Sequence, residues 1–204
     1  MPIKNVTKVQ APDSYYHIYA RGANKQKIFL ESADYKYFLK LFARYLSKDQ
    51  AFSKTGEPYP NYHANLELLA YCLMSNHLHL FVYQKEVPYL EKFMRSLMTS
   101  FSRYFNLKYK RTGPLFESRY KAIRLDNDVY LQHITRYIHL NPRLWQTYRY
   151  SSLGYYRAGD PPEWLKIKKI LDLFKSRQDY MKFVADYEEL SDMLSELKYR
   201  LANY

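Results

Sequence analysis

The sequence predicts an α+β fold of ferredoxin-like type: a split βαβ antiparallel sheet with helices on one face, followed by a C-terminal helical extension. Three observations lead there. Short runs of aromatic and β-branched residues mark strands, apolar residues recurring at three- and four-residue spacing mark helices, and the two alternate as β-α-β-β-α-β before a further helix. Tyr15–Arg21 (YYHIYAR) is the first strand, stopped by Gly22. Ser32 and Asp34 precede a helix whose apolar side is Tyr37, Phe38, Leu41, Phe42 and Tyr45. Asp49–Tyr62, with Gly56, Pro58 and Pro60, reads as a loop.

Ala64–Leu73 and His77–Gln84, separated by Met74-Ser75-Asn76, read as a hairpin. Pro88 opens a second helix through Leu90, Phe93, Met94, Leu97, Phe101, Tyr104 and Phe105, ending near Lys108. A basic turn, KYKRTGP, leads to a strand at Ser118–Leu125. Asp126 suits the cap of a third helix reaching Leu140, where Asn141-Pro142 stops it. Residues 143–162 read as an irregular connection. Beyond them Phe183, Tyr187, Leu190, Leu194, Leu197 and Leu201 repeat at alternating spacings of 4 and 3. Such a seam suits a dimerising helix or one packed on its own domain.

Composition narrows the function. The 204 residues carry a net charge of +12, and all of the excess precedes Pro161: 24 basic against 12 acidic groups, with eight of each thereafter. A field of that sign attracts polyanions, and 18% aromatic residues, including 24 tyrosines, supply flat surfaces for unstacked bases. Cys72 stands alone, which excludes an internal disulfide framework or a thiolate zinc cluster. The N-terminus lacks the apolar core of a secretory signal, and no apolar run approaches membrane-spanning length. A cytoplasmic protein with a nucleic-acid partner, and no membrane partner, is the expectation.

The candidate chemistry lies in MSNHLHL. On a strand, His77 and His79 point to the same face while Leu78 and Leu80 point to the other, so two imidazoles are presented together as metal ligands. His133, Tyr137 and Asn141 are spaced by four and form one stripe of the third helix, whose other side carries Leu131, Ile134 and Ile138 for docking. Docked on the sheet, that stripe could approach the histidines.

Four stretches, YYHIYARGANKQKIF, AYCLMSNHLHLFV, SRYFNLKYKRTGPLFESRYKAI and YLQHITRYIHLNP, carry a resemblance to the HUH single-tyrosine transposases, in particular the REP-associated tyrosine transposases. They occur in family order between about Tyr15 and Pro142. The resemblance implies a catalytic domain over residues 1–142, the connection at 143–162 and a helical extension at 163–204. It implies that His77, His79 and Asn141 hold Mg²⁺ or Mn²⁺, and that Tyr137 attacks single-stranded DNA. The products would be a 5′-phosphotyrosine and a free 3′-OH, and the strand could later be rejoined. Arg21, Asn24, Lys25, Arg95, Arg103, Lys110, Arg111, Arg119 and Lys121 are the candidate DNA contacts; His133, to which the resemblance assigns no role, is a candidate either to support a metal ligand or to contact DNA. The DNA would carry a hairpin, and a second copy could join through the sheet or the C-terminal helix. After Pro142 the chain has Arg143-Leu144-Trp145-Gln146-Thr147 where the family often has a small-residue turn. Two other functions share parts of this pattern: an HUH replication initiator or relaxase, and a non-catalytic nucleic-acid-binding module of the same fold.

Overall fold

The computed structural model describes residues 10–125 and 127–186. Its centre is an antiparallel sheet in the order β2-β3-β1-β4, formed by β1 (Ser14–Arg21), β2 (Leu66–Met74), β3 (His77–Gln84) and β4 (Lys121–Leu125). This order is the split βαβ arrangement. β2 starts two residues later than the sequence pattern suggests, and β4 three. The chain before β4 bonds to the end of β1 instead: Phe116 bridges Gly22, and the Glu117 N–H donates to the Arg21 carbonyl at 2.9 Å.

Register decides which residues share a face. Tyr19 lies opposite His79 and Arg21 opposite His77, while Ile18 pairs with Leu80 and Ala20 with Leu78. Period-two alternation therefore puts His17, Tyr19, Arg21, His77 and His79 on one face. Ile18, Ala20, Leu78 and Leu80 fill the other and are buried. On that apolar face lie α1 (Ser32–Leu46) and α2 (Tyr89–Lys108), the two helices of the βαββαβ unit, on one side as its plan requires. Phe42 of α1 meets Tyr71 of β2, and the Gln84 side chain accepts from the Leu90 N–H at the start of α2. The polar face is covered by α3 (Asp128–Leu140).

The β2–β3 turn is tied down by its neighbour. Ser75 O accepts from Ile28 N and Phe29 N at 2.8 and 3.0 Å, and Asn76 O accepts from Gly22 N at 2.9 Å. A Cβ at Gly22 would lie 2.2 Å from the Gln26 carbonyl oxygen, so this close approach requires glycine. The turn therefore holds the start of β3, and with it His77, against the end of β1.

α1 and α2 are joined through one buried carboxylate. Asp34 accepts from Leu30 N and Glu31 N at 2.8 and 3.1 Å, capping α1, and from Tyr104 and Tyr109 hydroxyls and Lys108 Nζ of α2 and its end. Burial raises its pKa, but these donors outweigh burial and hold it below its ordinary 3.8. A depressed carboxylate stabilises the fold above the unfolded-state pKa, and that stability is lost as pH falls through the folded-state value. Asp34→Ala should cost about 3 kcal/mol at neutral pH, because it leaves several donors unpaired. Urea denaturation between about pH 6 and pH 3 should show a steeper loss of stability in wild type than in Asp34→Asn; equal slopes would count against this linkage.

α3 starts at Asp128 with Asn127 as its cap, Oδ1 accepting from Val129 N at 2.8 Å. The expected cap, Asp126, lies outside the described residues. Beyond α3 the chain forms α4 (Leu153–Ala158), α5 (Lys168–Leu171) and α6 (Arg177–Ala185). The segment between Tyr150 and Lys166 runs along the outer edge of β2: Leu73 N donates to Tyr150 O, Ser152 N to Tyr71 O and Lys166 N to Leu68 O. These bonds satisfy an edge that would otherwise be open to strand pairing.

His139 of α3 locks this region down. It is fully buried, with Nδ1 2.6 Å from the Tyr180 hydroxyl of α6 and Nε2 2.7 Å from Ser152 Oγ. Burial lowers its pKa to about 3, so it is neutral. His139→Phe keeps the volume but leaves the buried Tyr180 hydroxyl without this partner, while Ser152 Oγ keeps its bonds to the Tyr71 backbone, and should cost about 1–3 kcal/mol. Thermal melting should show the drop. An unchanged Tm would mean that the network contributes no net stability. Of the heptad-like seam only Phe183 falls among the described residues, on α6 against His133 and Phe174; Tyr187 to Leu201 lie outside them.

Candidate active site

The polar face of the sheet and the C-terminal half of α3 meet at one cluster. His77 and His79 come from β3, whose strand geometry puts both rings on the α3 side. Their centroids are 5.1 Å apart with the rings nearly perpendicular, at 89°. Asn141, at the C-terminal cap of α3, spans them: Oδ1 is 3.0 Å from His77 Nε2 and Nδ2 is 3.2 Å from His79 Nε2. One turn earlier, Tyr137 meets His79 edge-on at 5.3 Å between centroids. The sequence separates His77 from Asn141 by 64 positions, yet all four side chains meet.

Each imidazole is held from behind through Nδ1. His77 Nδ1 is 2.7 Å from Asn76 Oδ1, and His79 Nδ1 is 2.9 Å from His17 Nε2. Partners at Nδ1 leave the Nε2 atoms directed to Asn141. Tyr19 packs against both histidines at 5.6 and 5.1 Å. Thus Asn76, His17 and Tyr19 complete a cluster that spacing alone had not suggested. The usable signal was parity, since His17, Tyr19 and Arg21 alternate on β1, but only the register sets them beside His77 and His79.

The electrostatics follow from burial. His79 is 1% exposed, and burial followed by the neighbouring His17 and His77 pushes its pKa well below 6.5. Burial also lowers that of His77; the Asn141 hydrogen bond opposes this and the Arg21 charge adds to it. Both rings are therefore neutral at pH 7, with lone pairs available. The phenol of Tyr137 is pushed up to about 12, chiefly by burial and then by Tyr19, with the Asn141 hydrogen bond opposing. It rests protonated.

Residues 10–141 match the family model described as "Transposase IS200 like", a span that includes the whole cluster. The chain belongs to the IS200-like transposase family. These are the HUH single-tyrosine transposases to which its motifs point. No curated protein matches the sequence. Among solved structures, the chain is similar to a REP-associated tyrosine transposase bound to a REP hairpin, at 12% identity and a TM-score of 0.56, over 78% of this chain and 89% of that one. It also aligns with a crystal structure of a candidate transposase from Deinococcus radiodurans R1 at 14% identity, covering 65% of this chain and 93% of that one, with a TM-score of 0.40. At such identities the likeness to the first concerns the fold, and it agrees with the sheet order and helix placement above.

On this transposase the candidate DNA contacts divide by location. Arg21 and Lys121 lie on the polar face of the sheet, Lys121 opposite Tyr19. Arg21 is held by Glu117 through two bonds of 2.8 and 2.9 Å. Asn24 and Lys25 are exposed in a 3-10 turn (Ala23–Lys25), both at positive φ. Arg111 donates to Gln26 at 2.9 Å, which joins the KYKRTGP turn to the chain after β1, and Lys110 and Arg119 are exposed nearby in sequence. Arg95 and Arg103 are exposed on α2, the helix on the opposite side of the sheet. His133 contacts Arg136 at 2.8 Å and the Phe183 ring, so its stripe-mates Tyr137 and Asn141 reach the cluster while its own described contacts face α6. Among the described residues no three His, Cys, Asp or Glu side chains group as a metal site; the group beside His77 and His79 is the Asn141 amide.

Proposed function

We propose that this transposase cleaves and rejoins single-stranded DNA with Tyr137 as nucleophile and a divalent metal held by His77, His79 and Asn141. The observation that carries the reading is the convergence of these four side chains from β3 and α3. The donor set fits the metal: ligands on adjacent corners of an octahedron with bonds near 2.1 Å stand about 3 Å apart. His77 Nε2 and Asn141 Oδ1 stand 3.0 Å apart, while His79 Nε2 lies 3.2 Å from the same amide's nitrogen, so the amide would serve as a ligand through Oδ1 alone. Two neutral imidazoles and an amide suit Mn²⁺ readily and Mg²⁺ less so. When bound, the cation would neutralise charge on the scissile phosphate and stabilise the charge that develops on it.

The chain's own residues do the rest. Tyr137 is oriented by packing edge-on to His79 and must lose its proton during attack. Its oxygen forms a bond to phosphorus as the bond to the 3′-oxygen breaks, leaving a 5′-phosphotyrosine and, after protonation, a free 3′-OH. Because the covalent link keeps the phosphodiester energy, that 3′-OH or another can reverse the step without ATP. Arg21, Asn24, Lys25, Lys121 and the KYKRTGP turn would hold phosphates and position the strand without reading its sequence. A hairpin-bearing strand is the preferred substrate, in line with the hairpin bound by the structurally similar protein. A second copy joining through the sheet would use β4, since the edge of β2 is covered.

The test incubates labelled single-stranded DNA from the hairpin-containing flanks of the gene with the full chain, with Mn²⁺ or EDTA. A covalent adduct on a denaturing gel that requires the metal is the expected result. DNA binding with no adduct under any metal condition would instead identify a binding module.

A further inference from the structure

We propose that His17 is a positioning residue for His79, setting the tautomer and ring orientation that leave His79 Nε2 free to bind metal; this rests on the metal reading above. His17 is fully buried on β1, two residues before Tyr19. Its ring stacks on that of His79, with centroids 5.1 Å apart and planes 9° from parallel, and its Nε2 is 2.9 Å from His79 Nδ1. Its other neighbour at the site is Tyr137, whose ring stands edge-on at 5.8 Å. A single side chain thus touches both a candidate ligand and the candidate nucleophile.

The hydrogen-bond roles can be followed atom by atom. The Asn141 amide nitrogen can only donate, so His79 Nε2, 3.2 Å away, accepts and carries no proton. A neutral His79 therefore carries its proton on Nδ1 and donates it to His17 Nε2. His17 must then be protonated on Nδ1, and that atom is buried without a hydrogen-bond partner. Leaving a buried ring N–H unpaired costs stability. The cost is intelligible if the opposite nitrogen is needed as an acceptor at this place. His77 Nδ1 also faces an acceptor, Asn76 Oδ1 at 2.7 Å, but its Nε2 faces a second, Asn141 Oδ1 at 3.0 Å, so in the metal-free site the neutral ring donates to only one of the two. Such partners of metal-bound histidines commonly contribute about 10–100-fold to metal affinity.

Mn²⁺ affinity of the metal-free full chain, measured by calorimetry or by the loss of free-ion EPR signal, tests this without reference to catalysis. His17→Phe keeps a buried ring but has no acceptor, and should weaken Mn²⁺ binding about 10–100-fold. His17→Gln supplies an amide oxygen as acceptor and should restore most of the affinity. Folding of each variant is checked by its melting transition. A second measurement needs no variant: long-range ¹⁵N–¹H correlation on the metal-free wild type should show His79 protonated at Nδ1. Wild-type affinity in His17→Phe, or an Nε2-protonated His79, overturns the proposal while the metal reading stands. No Mn²⁺ binding by the wild type overturns the metal reading, and this proposal with it.

Discussion

Tyr137→Phe should bind single-stranded DNA as wild type does and form no covalent adduct, a fall in cleavage of at least ~1000-fold. The ring packs edge-on to His79 and His17, at 5.3 and 5.8 Å between centroids, and phenylalanine preserves both contacts. Only the oxygen is lost. The effect is expected to be large because a removed nucleophile has no substitute in the mechanism. The site contains a second phenol, however. Tyr19 packs on His77 and His79 at 5.6 and 5.1 Å and is as near to the His79 ring as Tyr137 is. It sits on β1, two residues before Arg21 and paired opposite His79, whereas Tyr137 lies on α3 one turn before Asn141. Tyr19→Phe should therefore keep the adduct. Peptide mapping of the wild-type adduct decides between them, and a label on Tyr19 would overturn the assignment of Tyr137.

His79→Ala should reduce Mn²⁺ affinity at least ~100-fold and abolish metal-dependent cleavage while leaving DNA binding in place. Of the two histidines it is the more deeply buried, 1% exposed, and it is the one in contact with Asn141, His17 and Tyr137 together. Losing it removes a donor and releases the amide that spans the pair. The same burial gives a pH prediction. Both imidazoles have pKa values lowered from 6.5, so neither needs to lose a proton on binding metal near neutrality. Mn²⁺ affinity should stay level as pH falls from about 8 to 6.5, and weaken only below the ordinary histidine range. A decline already centred at pH 6.5 or above would mean that the histidines are solvated, and would remove the basis of the electrostatic description.

Much of the site was legible before any tertiary structure. His77 and His79 are two apart on a strand, which is sufficient to place them on one face. Tyr137 and Asn141 are four apart on a helix, which is sufficient to align them. The strand His77–Gln84 agrees with the sequence pattern at both ends, because its alternation is bounded by a polar turn and by Pro88. Boundaries shifted where local pattern competes with distant pairing, as at Ser118, where the chain follows the end of β1 before it joins the sheet at Lys121. The candidate cations show the same limit. Charge and spacing made Arg95 and Arg21 equal candidates, but one is on α2 and the other is beside His77.

By itself the sequence determined the order of elements, the basic character of the first 160 residues, and the two pairs His77/His79 and Tyr137/Asn141. These rest on local periodicity, in which each residue's direction follows from its neighbours. The tertiary structure decided that the pairs face one another, that His17 stands behind His79, that Tyr19 shares the site, and that His139, two residues past Tyr137, faces away from it to anchor α4 and α6. Those facts depend on the β1–β3 register and on the face of the sheet that α3 covers. A slip of one residue in that register would turn His17 and Tyr19 to the opposite face, and no local pattern in the chain records which register forms.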